Sequence, residues 1–484
     1  MKVLMAVQDY PPDFVGGVER TVEALCESLV GFGHDVMVFA GSGDRPREKT
    51  VERCNRSGVN IIRVKRSSTY TNPVDVHDPD VELEFDALVS RFSPDVLHVH
   101  HWFQTSSDLV WLAARRGIPA VVSLHDQWAT CPLFFRMPEP EGAFCREPAG
   151  EEACLPCLSR HRPMEAVELQ HSFRMRAASV ASELELARAI LVSSASHARH
   201  LAHLGAWPLT LAERVRIRPI GAADLPALPE PSVTGDLVVA HWGNLSSLKG
   251  TDILVKALSR AATGRQWTAR ILGGTSDPSF QGSLRDAAGD AVSLDLRPAY
   301  RVADLPRELE GVHLAAFPSL AEETHSIVLD EALQLGLPVI VSDRGALPER
   351  IGGRGVVVPA GDVQALAAAL DSMADAGVRA RHRAASPGPV ARPRDYAEAV
   401  LEVYADAVRE GAPVDHLGRD LARVRLAHRN ARLGEIAAYL VQVDAERRRL
   451  EQTLAERSVA DAARDETSCE NGATLDGSSE RELE

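Results

Sequence analysis

Long apolar runs, an excess of positive charge and a high density of cysteine are all missing from this 484-residue sequence. No run approaches the ~20 apolar residues that a membrane-spanning helix requires. Acidic residues outnumber basic ones, 68 against 53, and the net charge of −15 argues against a nucleic-acid binder that works through a general positive field. Seven cysteines in a chain of this length do not indicate a small secreted scaffold held by disulfides.

The N-terminal sequence predicts where the protein works. "MKVLMAVQDYPP" contains an apolar run too short for the core of a signal peptide, so we interpret it as a first strand. We therefore expect a cytoplasmic protein with no nucleic-acid partner. One basic stretch, "LSRHRP" at 158–163 with Arg174 and Arg176 nearby, is either a contact for a lipid-phosphate acceptor or the inner membrane face, or a solvated helix face.

Four of the seven cysteines cluster in the sequence, the last two as a C-x-x-C in "ACLPC": Cys131, Cys145, Cys154 and Cys157. This spacing is typical of a structural zinc held by four thiolates. A segment of free thiols or a redox-sensitive pair fits the same spacing. Neither alternative makes this segment the reaction centre.

Alternating strand and helix patterns predict an α/β protein with two doubly wound, Rossmann-like domains facing a cleft. The first predicted domain covers residues 1–225 and includes a cysteine-rich loop at 131–157. A Pro-rich segment separates it from a second alternating series at 236–385. In such folds ligands lie where parallel strands end and helices begin, so both domains are expected to contribute to one site.

The C-terminal part of the sequence has a different character. A helix at 394–410 is predicted to pack back on the first domain, and residues 415–457 are predicted to be helical. Apolar residues at heptad spacing favour either packing on the protein itself or a homodimer through a short coiled coil. These residues are Leu426, Leu433 and Leu440, offset by Ile436, Val443 and Leu450. The acidic stretch at 458–484 is predicted to be disordered.

Two glutamates lie eight positions apart in "LAEETHSIVLDEALQLGLPVIVSD", Leu320 to Asp343. The stretch predicts a loop, a helix capped by Thr324 or Ser326, and a buried strand. Glu323 precedes the helix, and Glu331 falls at the edge of its apolar stripe. Two such glutamates are usually solvated charges, but a helix N terminus at the end of a strand favours an anion.

Three short motifs indicate that an anion binds at this place. Gly16 and Gly17 precede a helix, where missing side chains let backbone N–H groups approach a phosphate. Lys249, in "HWGNLSSLKG", follows a strand and neutralises negative charge. The third motif is the stretch with the two glutamates, whose helix N terminus presents the N–H groups of Ser326 and Ile327 to the same anion. Each motif alone is commonly a turn or a surface charge, so the hypothesis rests on their combination.

Together these motifs resemble the retaining glycosyltransferases of family 4, which have the GT-B architecture. The resemblance lies in "VGGVE", "GNLSSLKG" and an E-x7-E motif followed by the strand "LPVIVSD". The segments "GHDVMVFAG", "PDVLHVH", "SLHD", "GALPE" and "VVVPAGD" occur in the expected order. The similarity covers about residues 1 to 408 and leaves out the cysteine segment and the tail.

The resemblance implies a role for each matching residue. Glu323 is expected near the hydroxyls of the transferred sugar, with His125 beside it, and Glu331 at the ribose hydroxyls. Lys249 and the helix N–H groups are expected to hold the diphosphate. Asn244 stands where similar enzymes have arginine, which removes a charge-assisted contact of ~1.5–3 kcal/mol.

The implied reaction is transfer of a hexosyl group, with retention, from a nucleotide-sugar such as a UDP- or GDP-sugar. The acceptor is a hydroxyl of a glycan, a lipid-linked molecule or a small molecule, and no catalytic metal is required. Base recognition is expected from the backbone of "RPAYRVADL" at 297–305. His98, His100 and His101 end a strand that faces the cleft, where we expect them to touch the acceptor, and a shared metal is disfavoured because adjacent strand residues point to opposite faces.

Two alternatives remain open at this point. A glycoside hydrolase would use the two glutamates as acid and nucleophile. A non-catalytic nucleotide-binding or assembly subunit would account for Asn244 and for the heptad tail.

Overall fold

The computed structural model describes residues 1–14, 16–68, 74, 76–138, 143–162, 164–205, 209–232, 235–262, 266–385, 390–413 and 443–453. Met1–Val414 form one compact unit and Asp415–Glu484 a second. The described residues of the second unit, 443–453, are helical, and the predicted seam residues Val443 and Leu450 are exposed there. The other predicted seam residues and the acidic stretch at 458–484 lie outside the described residues.

Eight strands form the first sheet. They are β1 (Lys2–Val7), β2 (Asp35–Ala40), β3 (Thr50–Arg56), β4 (Val59–Lys65), β5 (Val96–Val99), β6 (Ala120–Leu124), β7 (Ala189–Val192) and β8 (Val215–Ile217). Their order is β3-β4-β2-β1-β5-β6-β7-β8. All neighbours run parallel except β3 and β4, which form an antiparallel hairpin.

Seven helices belong to this first half in the described chain. They are α1 (Gly17–Gly31), α2 (Pro79–Phe92), α3 (Leu109–Ala114), α4 (Glu151–His161), α5 (Ala166–Leu186), α6 (Ala195–Leu204) and α7 (Leu209–Ala212). Helix α1 shows why these segments are helical, because its buried residues Val22, Leu25, Cys26 and Leu29 recur at helical spacing.

Six parallel strands form the second sheet, in the order β11-β10-β9-β12-β13-β14. In chain order they are β9 (Leu237–Asn244), β10 (Trp267–Gly274), β11 (Ser293–Arg297), β12 (Leu314–Phe317), β13 (Val339–Ser342) and β14 (Gly355–Val358). Their helices are α8 (Thr251–Leu258), α9 (Phe280–Ala288), α10 (Leu305–Glu308), α11 (Ile327–Gln334), α12 (Leu347–Arg350), α13 (Val363–Met373) and α14 (Ala376–Ala384). Two 3₁₀ turns, Ser247–Lys249 and Val302–Asp304, follow β9 and β11.

The central strands of both sheets are apolar along their whole length. Every residue from Val3 to Val7 in β1 is fully buried, and so are Val339, Ile340 and Val341 in β13. Strands covered by helices on both faces have no solvent side and therefore no alternation. The predicted pair of doubly wound sheets is confirmed.

The cysteine-rich segment differs from the predicted loop, because its C-terminal part is helix α4, which carries Cys154 and Cys157. Glu151 and Glu152 occupy the first turn of α4, and Arg160 occupies the last. These charges complement the helix dipole and favour a helix here.

Within the described residues, no helix is both long and apolar enough to cross a membrane.

A last helix, α15 (Pro393–Glu410), lies against the first sheet. The Tyr404 hydroxyl is 2.6 Å from Nδ1 of His98, whose Nε2 lies 2.8 Å from Oγ of Ser123. His98 is fully buried between these partners. The expectation that His98 touches the acceptor is therefore wrong, because both of its ring nitrogens are used inside the core.

We predict that Tyr404→Phe lowers the free energy of unfolding by about 1–3 kcal/mol, because it leaves a buried imidazole nitrogen without its partner. Urea denaturation of the full chain measures this change. Val408→Ala on the same helix is the control, since Val408 is exposed and should change stability little. Equal stability of the Tyr404→Phe variant and wild type would contradict the structural role of this bond.

Candidate active site

The loop between β12 and α11 places its functional groups through one unusual backbone conformation. Helix α11 begins at Ile327, and the preceding Ser326 has φ of 78°, in the left-handed region. The sequence predicts Ser326 or Thr324 as a side-chain cap, but Ser326 makes no such hydrogen bond. Residues other than glycine rarely adopt this conformation, so Ser326 holds a strained backbone at the start of α11.

Glu323 and Lys249 meet directly at this loop. Lys249 Nζ lies 2.7 Å from Oε1 of Glu323, which also accepts a 2.8 Å hydrogen bond from Oγ of Ser319. Gly250, with φ of 74°, lets the turn that carries Lys249 lie close to the segment that leads to Glu323. A Cβ at position 250 would lie 2.0 Å from the carbonyl oxygen of Pro318. The pair is partly accessible, with Lys249 31% and Glu323 12% exposed.

A second acidic pair in the same segment has the same spacing but structural partners. Glu322 accepts a 2.7 Å hydrogen bond from the backbone N–H of Gly345 and pairs with Arg146. Asp330 is fully buried, where it pairs with Arg350 and lies 2.8 Å from His325 Nε2. The hydrogen bonds of this pair therefore hold the loop and helix α11 in place.

Glu331 is more deeply buried than its predicted position at the edge of the stripe. It is 1% exposed, and its Oε2 accepts a 2.7 Å hydrogen bond from the indole N–H of Trp242. Burial raises the pKa of Glu331 to about 7, although hydrogen bonds from Trp242 and Tyr300 and the charge of Arg20 act in the opposite direction. Near neutral pH this carboxyl group is poised between its two protonation states.

The two glycines of the first domain have different surroundings. The N–H of Gly16 donates to Oε2 of Glu19 over 3.1 Å, and a Cβ at Gly16 would lie 2.6 Å from that oxygen. A side chain at position 16 would therefore force the buried carboxylate of Glu19 to shift. Gly17 instead faces the other domain, since a Cβ there would lie 3.7 Å from Cδ1 of Ile327. The start of α1 therefore lies against the start of α11.

His125 lies beside this loop. Its Nε2 is 3.0 Å from Nδ1 of His100, and its carbonyl oxygen accepts a 2.5 Å hydrogen bond from Oγ1 of Thr324. Burial lowers the pKa of His125 to about 3 and the pKa of His100 well below its ordinary value. Both rings are therefore neutral at pH 7, and one of these two nitrogens donates its N–H to the other. His101 points elsewhere, to the carboxylate of Asp126 at 3.5 Å.

Further hydrogen bonds join the two domains at the same place. Ser193 Oγ, after β7, donates to the carbonyl oxygen of Thr324 over 2.9 Å. The carboxylate of Glu349 accepts from the backbone N–H groups of Ala195 and Ser196 at the start of α6. A carboxylate at a helix N terminus is favourable, so these contacts help to hold the two domains together.

The four predicted zinc ligands are close enough for their charges to interact, since, in addition to burial, Cys154 raises the pKa of Cys131, and Cys145 and Cys154 raise the pKa of Cys157. Cys131, Cys145, Cys154 and Cys157 are free, partly buried thiols. In the part of the chain that the structure describes, one group of three side chains has metal-ligand atoms within 4.8 Å of one another, and it consists of His77, Glu82 and Asp108. The cysteine zinc site stays a prediction.

The basic stretch near the cysteines has both exposed and buried members, with Arg160 exposed. Arg176 is buried, with its guanidinium 4.4 Å from the ring centroid of Trp128. Arg174 pairs with Glu151 at 2.6 Å. The Arg174 side chain is 59% exposed, and its contact with a lipid phosphate stays a prediction.

Three residues of the site were missed in the sequence: Arg20, Trp242 and Tyr300. Asn244 is exposed at the end of β9, two residues after Trp242. Arg20 follows Gly17 by three positions and thus lies on the same face of α1, which is a signal that the sequence contains. Tyr300 falls in the segment assigned to base recognition by backbone, and its side chain contacts Glu331.

Comparison with known proteins agrees with this geometry. The sequence profile of Glycosyltransferase Family 4 matches residues 15–219, and that of Glycosyl transferases group 1 matches residues 236–376. The chain is 26% identical over 408 residues to a glycogen synthase of Mycobacterium tuberculosis, which spans 79% of this chain and 88% of that protein.

Two solved structures share the fold. Sucrose-phosphate synthase from Thermosynechococcus elongatus has a TM-score of 0.56 at 18% identity, over 88% of this chain and all of that one. HepE from Anabaena in complex with UDP has a TM-score of 0.53 at 16% identity, over 84% of this chain and all of that one. With both domains matched in sequence and in architecture, the chain belongs to glycosyltransferase family 4 and has the GT-B fold.

Proposed function

We propose that this glycosyltransferase transfers a hexosyl group from a nucleoside-diphosphate sugar to an acceptor hydroxyl, with retention of the anomeric configuration. The observation that carries the proposal is the meeting of Lys249 and Glu323 in the loop before α11, whose first residue, Ile327, lies against Gly17 of α1. A cation beside helix N–H groups suits a diphosphate. A carboxylate beside them suits the neutral hydroxyls of a sugar.

The relatives support the donor class. HepE was solved with UDP, and the glycogen synthase of Mycobacterium tuberculosis bears the name of a glucan-forming enzyme. Glu331 adds support, because a buried carboxylate one helical turn from the start of α11 suits the paired hydroxyls of a ribose. The donor is therefore a UDP-, GDP- or ADP-sugar, and the acceptor is a glycan, a lipid-linked molecule or a small molecule.

The proposed mechanism requires no carboxylate nucleophile. Lys249 and the N–H groups at Ser326 and Ile327 stabilise the negative charge that develops on the leaving diphosphate. The acceptor hydroxyl attacks the oxocarbenium-like carbon from the face that the diphosphate leaves, and its proton passes to a phosphate oxygen. Glu323 holds hydroxyls of the sugar, and the neutral ring of His125 lies beside them as a hydrogen-bond partner without a repelling charge.

The hydrolase alternative fits the geometry less well. A glycoside hydrolase needs two accessible carboxyl groups ~5–9 Å apart around the bond that it breaks. That assignment leaves Lys249 and the start of α1 at Gly17 without a role in the site. Nucleotide-independent hydrolysis of an oligosaccharide would favour this alternative, whereas nucleotide binding without transfer or donor hydrolysis would favour an assembly subunit.

The reaction class is tested by incubating the full chain with UDP-, GDP- and ADP-sugars and measuring release of the nucleoside diphosphate. Proton NMR of the transferred sugar then reports its anomeric configuration. The proposal expects turnover with one donor class and retention. An inverted product would contradict the mechanism even if transfer occurs.

We predict that Glu323→Gln lowers kcat by about 10²–10³-fold, because an amide cannot match the charge that the carboxylate presents to sugar and Lys249. The control is Glu322→Gln, the neighbouring acid, which accepts from Gly345 N–H and should affect stability more than turnover. Steady-state kinetics of both variants measure the difference. A Glu323→Gln enzyme with near wild-type turnover would remove Glu323 from the site.

We predict that donor-nucleotide affinity increases with pH until about pH 7 and then levels off. Ribose hydroxyls donate most strongly to Glu331 when its carboxyl group is ionised. Burial raises the pKa of Glu331 to about 7, so protonation of Glu331 below pH 7 weakens nucleotide binding. Calorimetric titration with the nucleoside diphosphate at several pH values measures the dependence. Glu331→Gln should lose it, and comparison at each pH cancels the titration of the phosphates. A dependence equal in wild type and Glu331→Gln would contradict the ribose role.

A further inference from the structure

The charge available to hold a diphosphate is small on the second domain. Lys249 shares its charge with Glu323 at 2.7 Å, and position 244 carries the neutral amide of Asn244. A nucleoside diphosphate carries at least two negative charges at neutral pH. A further cation near the ribose end of the diphosphate would therefore strengthen binding.

Arg20 lies at this position, but it comes from the first domain. Its guanidinium carbon is 5.5 Å from the ring centroid of Tyr300, a cation–π contact between α1 and the loop after β11. Its charge also lowers the pKa of Glu331. Arg20 thus reaches the side chains that surround the proposed ribose site.

Helix geometry locates the guanidinium along the donor. Gly17 lies against Ile327, where α1 and α11 both begin, and this contact marks the phosphate end of the site. Arg20 is three residues into α1, and Glu331 is four residues beyond Ile327, so each lies about one turn, roughly 5 Å, from that contact. The α-phosphate, which is esterified to the ribose, would therefore lie between the phosphate end of the site at Gly17 and the ribose end at Glu331.

We propose that Arg20 binds the ribose-linked α-phosphate of the donor and supplies, from the opposite domain, the positive charge that Asn244 does not provide. The ring of Tyr300 holds the guanidinium in place, and the planar fork of arginine suits two phosphate oxygens. Lys249 then serves the β-phosphate that leaves with the nucleotide. This inference rests on the proposed function, and it names a donor-binding residue outside the second domain.

The test separates the two phosphates with a ligand series. Calorimetry of the full chain measures the Kd of a nucleoside, its monophosphate and its diphosphate, with the base that wild type binds among UDP, GDP and ADP. Arg20→Ala should weaken the monophosphate and the diphosphate by the same factor, about 10- to 100-fold, and leave the nucleoside unchanged. Lys249→Ala should weaken the diphosphate much more than the monophosphate.

Three further variants keep the test decisive. Arg307→Ala is the matched control, since this arginine of α10 lies outside the segment assigned to base recognition, is 72% exposed and pairs with Glu308, and the variant should bind all three ligands as wild type does. Arg20→Lys keeps a charge without the fork and should lie between wild type and Arg20→Ala. Asn244→Arg in the Arg20→Ala background should restore diphosphate binding at least in part.

The opposing results are equally specific. Unchanged diphosphate binding by Arg20→Ala would overturn the inference, and so would an equal loss of nucleoside affinity, which would show that Arg20 only supports Tyr300 and Glu331. Either result leaves the proposed function intact if wild type binds and turns over a nucleotide-sugar. If wild type binds none of UDP, GDP and ADP, the proposed function fails and this inference fails with it.

Discussion

The ion pair between Lys249 and Glu323 is the interaction on which the account of this protein depends. It joins the 3₁₀ turn after β9 to the loop before α11, at the edge where the strands of the second sheet end. Gly250 allows that close approach, and Ser319 fixes the carboxylate. A cation and an acid held together at a helix N terminus present opposite charges to one ligand. A molecule with a charged diphosphate next to a neutral sugar matches such a surface.

Much of the fold could be predicted because buried parallel strands have a simple signature. Uninterrupted apolar runs such as Val3 to Val7 alternate with helical segments, and that pattern leaves few architectures. The side-chain partners could not be predicted in the same way. His98 bonds Tyr404 from 306 positions away, and Lys249 meets Glu323 across 74. Local periodicity contains no information on such distant pairs.

The same limit explains the differences at the site. Glu331 was predicted at the edge of a helix stripe, but Trp242 on β9 covers it. Gly16 was predicted to approach a phosphate, but its N–H is held by Glu19. The absence of an arginine at position 244 could be noticed in the sequence, whereas the contact of Arg20 with Tyr300 depends on how α1 packs against the second domain.

The central claim, a site for a nucleoside diphosphate, is tested most directly by thermal unfolding of the purified chain with UDP, GDP and ADP. A ligand present at a hundred times its Kd adds about 2.7 kcal/mol to stability, so a true donor nucleotide should raise the Tm clearly. The account predicts a marked increase with one of the three nucleotides and little change with the others. An unchanged Tm with all three would contradict the nucleotide site at α11.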